Sequence, residues 1–282
     1  MVIKIVTDST ADIPLELATQ LGITSVPLYV QFGGHSYKDR IDITEDEFYA
    51  RLQSDSVHPT TAQPSPQDFA RVYDSLAKDT DGILSIHISE KMSGTISSAH
   101  QGAKMMKNPV PVEIVDSKYT SMAQGLVVVA TARLAKTGND LQTLAAAARG
   151  FVGDIHLLVL FDTLKYVARG GRIGRAKALL GSILNVKPLL GIKDGEFIPV
   201  GQVRSRAKGI ERLFELVKEA GHNIAEATVI HSTTPDEAKS LADRISEFVS
   251  PDKIYIGRFG PVLGVHGGPG VLAVAVRLKA QT

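Results

Sequence analysis

The chain has 282 residues, 44% hydrophobic and 22% charged, which excludes disordered and fibrous classes and suggests two domains or one large one. Lys and Arg number 31 against 30 Asp and Glu, a net charge of +1 without the basic excess of a nucleic-acid binder. Cysteine is absent, which excludes disulfide frameworks, zinc ribbons, iron–sulfur clusters and thiol nucleophiles.

The opening run VIKIV at 2–6 predicts a strand, followed by the turn residues Thr7, Asp8, Ser9 and Thr10. Asp12 is read as a helix N-cap, Pro14 as a first-turn residue and Gly22 as the stop. The run 26–32 predicts a strand that turns at Gly33-Gly34, and Thr44 through Glu47 reads as a capping box. Segment 56–67, with Pro59, Pro64 and Pro66, is expected to be an ordered loop, and 44–66 is a candidate flap. Strands follow at 82–89 and 112–116, with helices at 93–107, 124–136 and 141–149. Beyond Gly150 the pattern changes: strand 156–162, a helix over 176–184, short strands at 187–192, 196–200 and 203–205, then helix, strand, helix and two strands to the end.

The first half reads as strict β–α–β, hence a parallel sheet with right-handed crossovers. The second half mixes hairpins and helices, hence a mixed sheet. The expectation is an α/β protein of two domains: residues 1–152, a three-layer α/β/α unit, and residues 153–282, with the ligand between them. The apolar run near the start is too short for a signal-peptide core. The longest apolar stretch, 125–132, falls short of the ~20 residues that span a bilayer, so a cytoplasmic location is expected.

Polar residues gather where the first-half strands end: Thr7-Asp8-Ser9, Ser89 through Ser93-Gly94-Thr95, and Asp116-Ser117. Open parallel sheets bind ligands at these carboxyl ends, and helix N-termini attract anions. The residues read either as an anion pocket or as helix caps and Asx turns. Thr60-Thr61-Ala62-Gln63-Pro64-Ser65-Pro66 is a stiffened hydroxyl-bearing loop, or a connection capped by Ser65. The loop Arg169-Gly170-Gly171-Arg172-Ile173-Gly174-Arg175 lacks the spacing of a phosphate loop and would contact a phosphate, an acidic partner or solvent. His266 lies among Gly264, Gly267, Gly268, Pro269 and Gly270, which is expected to expose its imidazole at a tight turn.

In this order, these clusters resemble the DegV family of bacterial fatty-acid-binding proteins over essentially the whole chain. The matching elements are Asp8-Ser9 with Asp12, Thr61 through Ser65, Ser93-Gly94-Thr95, Asp116-Ser117, Leu164 through Ile173, Lys187-Pro188 and the His266 segment. Ala62 stands where many members have Ser, which removes one hydroxyl. The resemblance implies a long-chain fatty acid such as palmitate or oleate buried between two domains, with no other cofactor and no metal. It implies a carboxylate held near Thr61, Ala62, Ser93, Gly94 and His266. A nearby anion is expected to favour the charged form of His266, which would donate a proton to the carboxylate. The resemblance also implies a non-catalytic role: presenting the acid to an ATP-dependent fatty acid kinase subunit, which forms an acyl-phosphate for phospholipid synthesis. Arg169 and Arg172 would touch phosphate or that partner, and transient contact with a membrane surface fits the same role. Two other readings stay open. One is a serine hydrolase using Ser93 and His266, with Asp8 or Asp116 as orienter, although no GxSxG elbow is present. The other is a small-anion or sugar-phosphate binder using the Gly-Arg loop.

Overall fold

A computed structural model describes residues 1–179 and 186–279. In the first half the order is β1 (Ile3–Asp8), α1 (Leu15–Leu21), β2 (Ile23–Val26), β3 (Tyr29–Phe32), β4 (His35–Lys38), α2 (Glu45–Ser54), β5 (Thr60–Ala62), α3 (Pro66–Leu76), β6 (Gly82–His87), α4 (Thr95–Lys104), β7 (Val112–Asp116), α5 (Ser121–Ala135) and α6 (Leu141–Gly153). The second half holds β8 (Ile155–Leu160), α7 (Lys165–Arg169), β9 (Lys187–Lys193), β10 (Glu196–Val203), α8 (Arg206–Ala220), β11 (Ile224–His231), α9 (Pro235–Ile245), β12 (Ile254–Arg258), α10 (Pro261–Gly267) and β13 (Leu272–Leu278).

The first domain is built on a parallel sheet of order β2-β1-β6-β7. Every residue of β6 is buried, because helices cover both faces of a parallel sheet. Val6, Val26 and Ile83 face Phe69 and Tyr73 of α3 and Ala99 of α4. Ile3, Ile5, Leu84 and Ile86 face α5 and α6 on the other side. The second domain has a six-stranded mixed sheet of order β10-β9-β8-β13-β11-β12, antiparallel except for β11 with β12. α8 and α9 cover one face. The other face meets α5, 12 of whose 15 residues are buried. That helix is apolar all round because it is sandwiched between two sheets rather than laid on one.

A third sheet, β4-β3-β5, is antiparallel and small. Leu28, Val30, Phe32, Phe48 and Tyr49 pack it and α2 against Val262 and Val265 of α10. The first domain thus reaches over to the helix that carries His266. Among the described residues no helix is long and apolar enough to cross a membrane.

Several local expectations need correction. Asp12 does not cap α1; it sits in the left-handed region at φ 52° after a 3-10 turn, and α1 starts behind Pro14. Segment 56–67 is not all loop, since residues 60–62 add a strand to β3. The helix expected from Ser93 begins at Thr95, and the one expected from Gln124 begins at Ser121. Gly174–Leu179 is a 3-10 segment rather than an α-helix, and the rest of the helix expected over 176–184 lies outside the described residues. The glycine-rich stretch around His266 is not a turn: it forms α10, led by Pro261 at its first position. By contrast, the capping box Thr44/Glu47 forms, and so does the cap at Ser65, which the structure completes as a box with Asp68.

Candidate ligand-binding site

Thr61, Ser93 and His266 come from three separate elements. Thr61 lies on β5, opposite Val30 in the small sheet. Ser93 ends the turn between β6 and α4, where the Met92 and Ser93 amides both donate to Ser89 O. Its hydroxyl pairs with Thr95 Oγ1 at 2.8 Å. His266 lies in the last turn of α10, a helix without a side-chain cap of its own. Two buried carboxylates from the first domain satisfy its N-terminal amides instead: Gly260 N donates to Asp12 Oδ1 at 3.0 Å and Val262 N to Asp39 Oδ1 at 3.2 Å.

These residues bound a cavity of about 260 Å³. Its polar lining consists of Thr61, Gln63, Ser93, Thr120, Arg172 and His266. The remainder is apolar, with Ile88 and Met92 from the first domain and Phe161, Phe197, Phe259 and Leu263 from the second. The rings of Phe161 and Phe197 meet edge to face at 5.9 Å. Two hydrogen bonds join the domains beside it. Arg172 Nε donates to Met92 O at 3.1 Å, and Ser89 Oγ donates to Gly195 O at 2.7 Å.

His266 Nε2 lies 2.9 Å from Thr61 Oγ1, while Nδ1 is buried without a partner. A Cβ at Gly170 would collide with that nitrogen, so the first glycine of the Gly-Gly pair gives the imidazole its room. Burial, reinforced by the positive charges of Arg172 and His58, pushes the His266 pKa down to about 4. The imidazole is therefore neutral and half-buried, not exposed and charged.

The structure brings together Thr61, Ala62, Ser93, Arg172 and His266, all on the wall of this cavity. It does not bring in Gly94 or Arg169. Gly94 is covered by the Gln63 carboxamide, which a Cβ there would strike. Arg169 lines a neighbouring cleft with His58, Lys165 and Tyr166. Asp116 makes an Asx turn to the Lys118 amide. No hydrogen bond joins Ser93 to His266 among the described residues, and Asp8 faces His87 instead, at 2.9 Å from Nδ1. The arrangement Ser93–His266–Asp8 therefore does not exist as a triad. The apolar lining was missed from sequence. Its residues are scattered over both domains and look like ordinary core.

A family model described as "Uncharacterised protein, DegV family" matches residues 2–279. A DegV domain-containing protein of Streptomyces coelicolor is 38% identical over 277 residues, covering 97% of this chain and 98% of the relative. Protein DegV of Bacillus subtilis is 34% identical over 277 residues, again 97% and 98%. Among solved structures, a DegV family protein from Thermus thermophilus, described by its fatty acid binding, superposes with a TM-score of 0.92 at 34% identity, covering 99% of this chain and 100% of that one. DegV from Bacillus subtilis, described as a fatty acid binding protein, gives 0.89 at 32% identity with the same coverage. The family model, the curated relatives and the fold agree, and this chain belongs to the DegV family.

Proposed function

We propose that this protein binds a long-chain fatty acid in the cavity between its domains, divided at 152/153, and presents the carboxylate to an ATP-dependent kinase. The observation that carries the reading is a largely apolar cavity whose polar lining includes Thr61, Ser93 and His266, in a chain whose solved relatives are described as fatty-acid-binding. Burying each methylene contributes about 0.8 kcal/mol, so a long tail gains on the order of 10 kcal/mol gross. Association offsets about 4–15 kcal/mol of that. The head group must then enter without a large penalty, which requires hydrogen bonds to a buried carboxylate. Hydroxyls of Thr61 and Ser93 supply donors, and each bond to a charged acceptor is worth about 1.5–3 kcal/mol.

A neutral His266 supports presentation rather than capture. Arg172, which lines the cavity, spends its Nε and Nη1 on backbone carbonyls and so does not offer a carboxylate a free two-pronged fork. A carboxylate held by hydroxyls keeps an oxygen free to attack a phosphoryl group. Lys165, Arg169 and Arg172 form no ion pair among the described residues and lie beside the cavity, where they suit an acidic partner face or a phosphate.

The test is native mass spectrometry of the purified protein followed by lipid extraction. A stoichiometric fatty acid supports binding; an empty protein that also refuses palmitate and oleate overturns it. Presentation is tested separately by adding a fatty acid kinase subunit and ATP. Acyl-phosphate should form and fall at least tenfold in Arg172→Ala. Formation at an unchanged rate removes the arginine's role.

A further inference from the structure

We propose that Asp12 is a positioning residue for head-group binding: it locks the junction between β12 and α10 so that the His266 imidazole faces Thr61. Its role in binding rests on the fatty-acid reading; its geometry does not. Asp12 does not line the cavity. It grips the backbone directly behind the cavity wall, on both sides.

The Asp12 carboxylate is fully buried and reaches three segments distant in sequence. Its Oδ1 accepts from Gly260 N at 3.0 Å and from Arg40 Nη2 at 2.8 Å, and its Oδ2 accepts from Ser121 Oγ at 2.6 Å. Gly260 follows Phe259 and Ser121 follows Thr120, and both Phe259 and Thr120 line the cavity. One carboxylate thus ties a wall segment of the second domain to one of the first. Arg40 closes the clamp, since the same Nη2 donates to Arg258 O, at the end of β12, at 2.5 Å. A Cβ at Gly260 would strike Arg40 Nε, so this glycine is what admits the guanidinium.

The backbone around this carboxylate is strained as well. Among the described residues five that are not glycine adopt a left-handed φ: Asp12 at 52°, Arg40 at 60° and Ser121 at 54°, with Lys118 and Asp194. Three of the five are the carboxylate and the two side chains that donate to it. Such conformations persist only where the surroundings over-determine them, and they gather at ligand clamps and switch regions. Packing alone does not call for them, because Val262 and Val265 already bury α10 against the small sheet and α2.

The helix carries the restraint to the ring. His266 stands six positions beyond Gly260, about 9 Å along a helix that rises 1.5 Å per residue. A helix this short moves as one piece, so releasing its first amides shifts its last turn. A shift of about 1 Å would take the 2.9 Å contact between His266 Nε2 and Thr61 Oγ1 out of hydrogen-bond range. Misplacement on that scale, caused from a distance, is known to cost on the order of 100-fold where groups must be held in register.

The experiment joins a fluorescent fatty-acid titration to imidazole NMR of the full chain, with the His266 signals assigned by their loss in His266→Gln. Asp12→Ala should bind fatty acid about tenfold more weakly or worse, the scale of one lost hydrogen bond, and should move the His266 signals. Asp12→Asn tolerates the left-handed backbone and keeps an acceptor for Gly260, so it should restore affinity to within about threefold and leave the signals in place. Gly260→Ala, which displaces Arg40 and leaves Asp12 intact, should reproduce the loss and keeps the test valid if Asp12→Ala does not fold. Unchanged affinity in both alanine variants overturns the proposal. So does a weakened variant whose His266 signals stay where they are, or Asp12→Asn binding as weakly as Asp12→Ala. An unmodified protein that takes up no fatty acid overturns the lipid reading instead, and the His266 signals then decide the positioning alone.

Discussion

Thr61 Oγ1 and His266 Nε2 lie 2.9 Å apart across 205 positions of sequence. The bond joins β5 of the small sheet to the last turn of α10, and both residues line the cavity together with Ser93. Because α10 is held at its other end by Asp12 and Asp39, the first domain fixes both the helix and the partner of its imidazole.

Removing either member should weaken fatty-acid binding by about 10- to 100-fold, the loss of one or two hydrogen bonds at a charged head group. Thr61→Val and His266→Ala together should cost less than the sum of the two, because each already strands the other. A fluorescent fatty-acid titration on the four proteins reads this directly, and strict additivity would show that the pair does not act as a unit.

Gly170→Ala should behave as a binding-site change although it touches no ligand. Its Cβ would collide with His266 Nδ1, so either the imidazole swings away from Thr61 or the loop moves. The expected result is a loss of fatty-acid affinity of about tenfold or more, comparable to one lost hydrogen bond to a charge. Affinity equal to that of the unmodified protein would mean the ring position is not needed.

The pH dependence has a defined sign. The His266 pKa, pushed down to about 4, lies below the ordinary value of 6.5. As pH falls, the unfolded chain takes this proton first. The ligand-free fold should therefore lose about 3 kcal/mol between pH 6.5 and pH 4 from this group, and nothing above that window. Denaturant melts of His266→Gln should lack that part of the slope. A fatty carboxylate beside the ring raises its pKa, so binding takes up protons. Calorimetry in buffers of different ionisation heat should detect this uptake, absent in His266→Ala.

Asp8 is a structural carboxylate. Burial alone would raise its pKa, but the His87 imidazole, the Thr10 hydroxyl and the Ile88 amide outweigh burial and hold it below the usual range. His87 in turn lies 2.7 Å from Ser85 Oγ, which meets the Tyr73 hydroxyl at 2.8 Å. This Ser–His–Asp chain is entirely buried. His87→Ala should cost about 1.5–3 kcal/mol of stability at neutral pH, by removing one hydrogen bond to a buried charge that keeps those from Thr10, Ile88 and Gln124. Since a lowered carboxylate pKa stabilises above its ordinary value, the penalty should shrink as acid protonates Asp8. Urea melts from pH 7 to pH 3 give the comparison, and a penalty that does not change with pH would assign the loss to packing alone.

Capping chemistry and turn residues were legible because they act over four residues. The Thr44–Glu47 box, the Ser65 cap and the Gly33-Gly34 hairpin all formed where these local residues placed them. Asp12 misled because a carboxylate before a helix looks like a cap, whereas its partners Arg40, Ser121 and Gly260 are distant in sequence. The glycines around His266 misled in the opposite way. They suggested a turn, but in a short helix they admit close neighbours: Phe48 and Tyr49 at Gly264, and Phe259 at Gly267.

By itself the sequence determined the α/β class and the parallel first sheet, because strand periodicity is written in consecutive positions; Thr61, Ser93 and His266 were singled out through the family resemblance, and the structure sets them on the wall of one cavity. Only the tertiary structure decided that the imidazole is neutral, that Asp8 serves His87 and that Arg169 stands outside the cavity. It also decided which apolar side chains form a cavity wall rather than core. Those properties depend on burial and on partners brought from the other domain, and neither is encoded within a local stretch of chain.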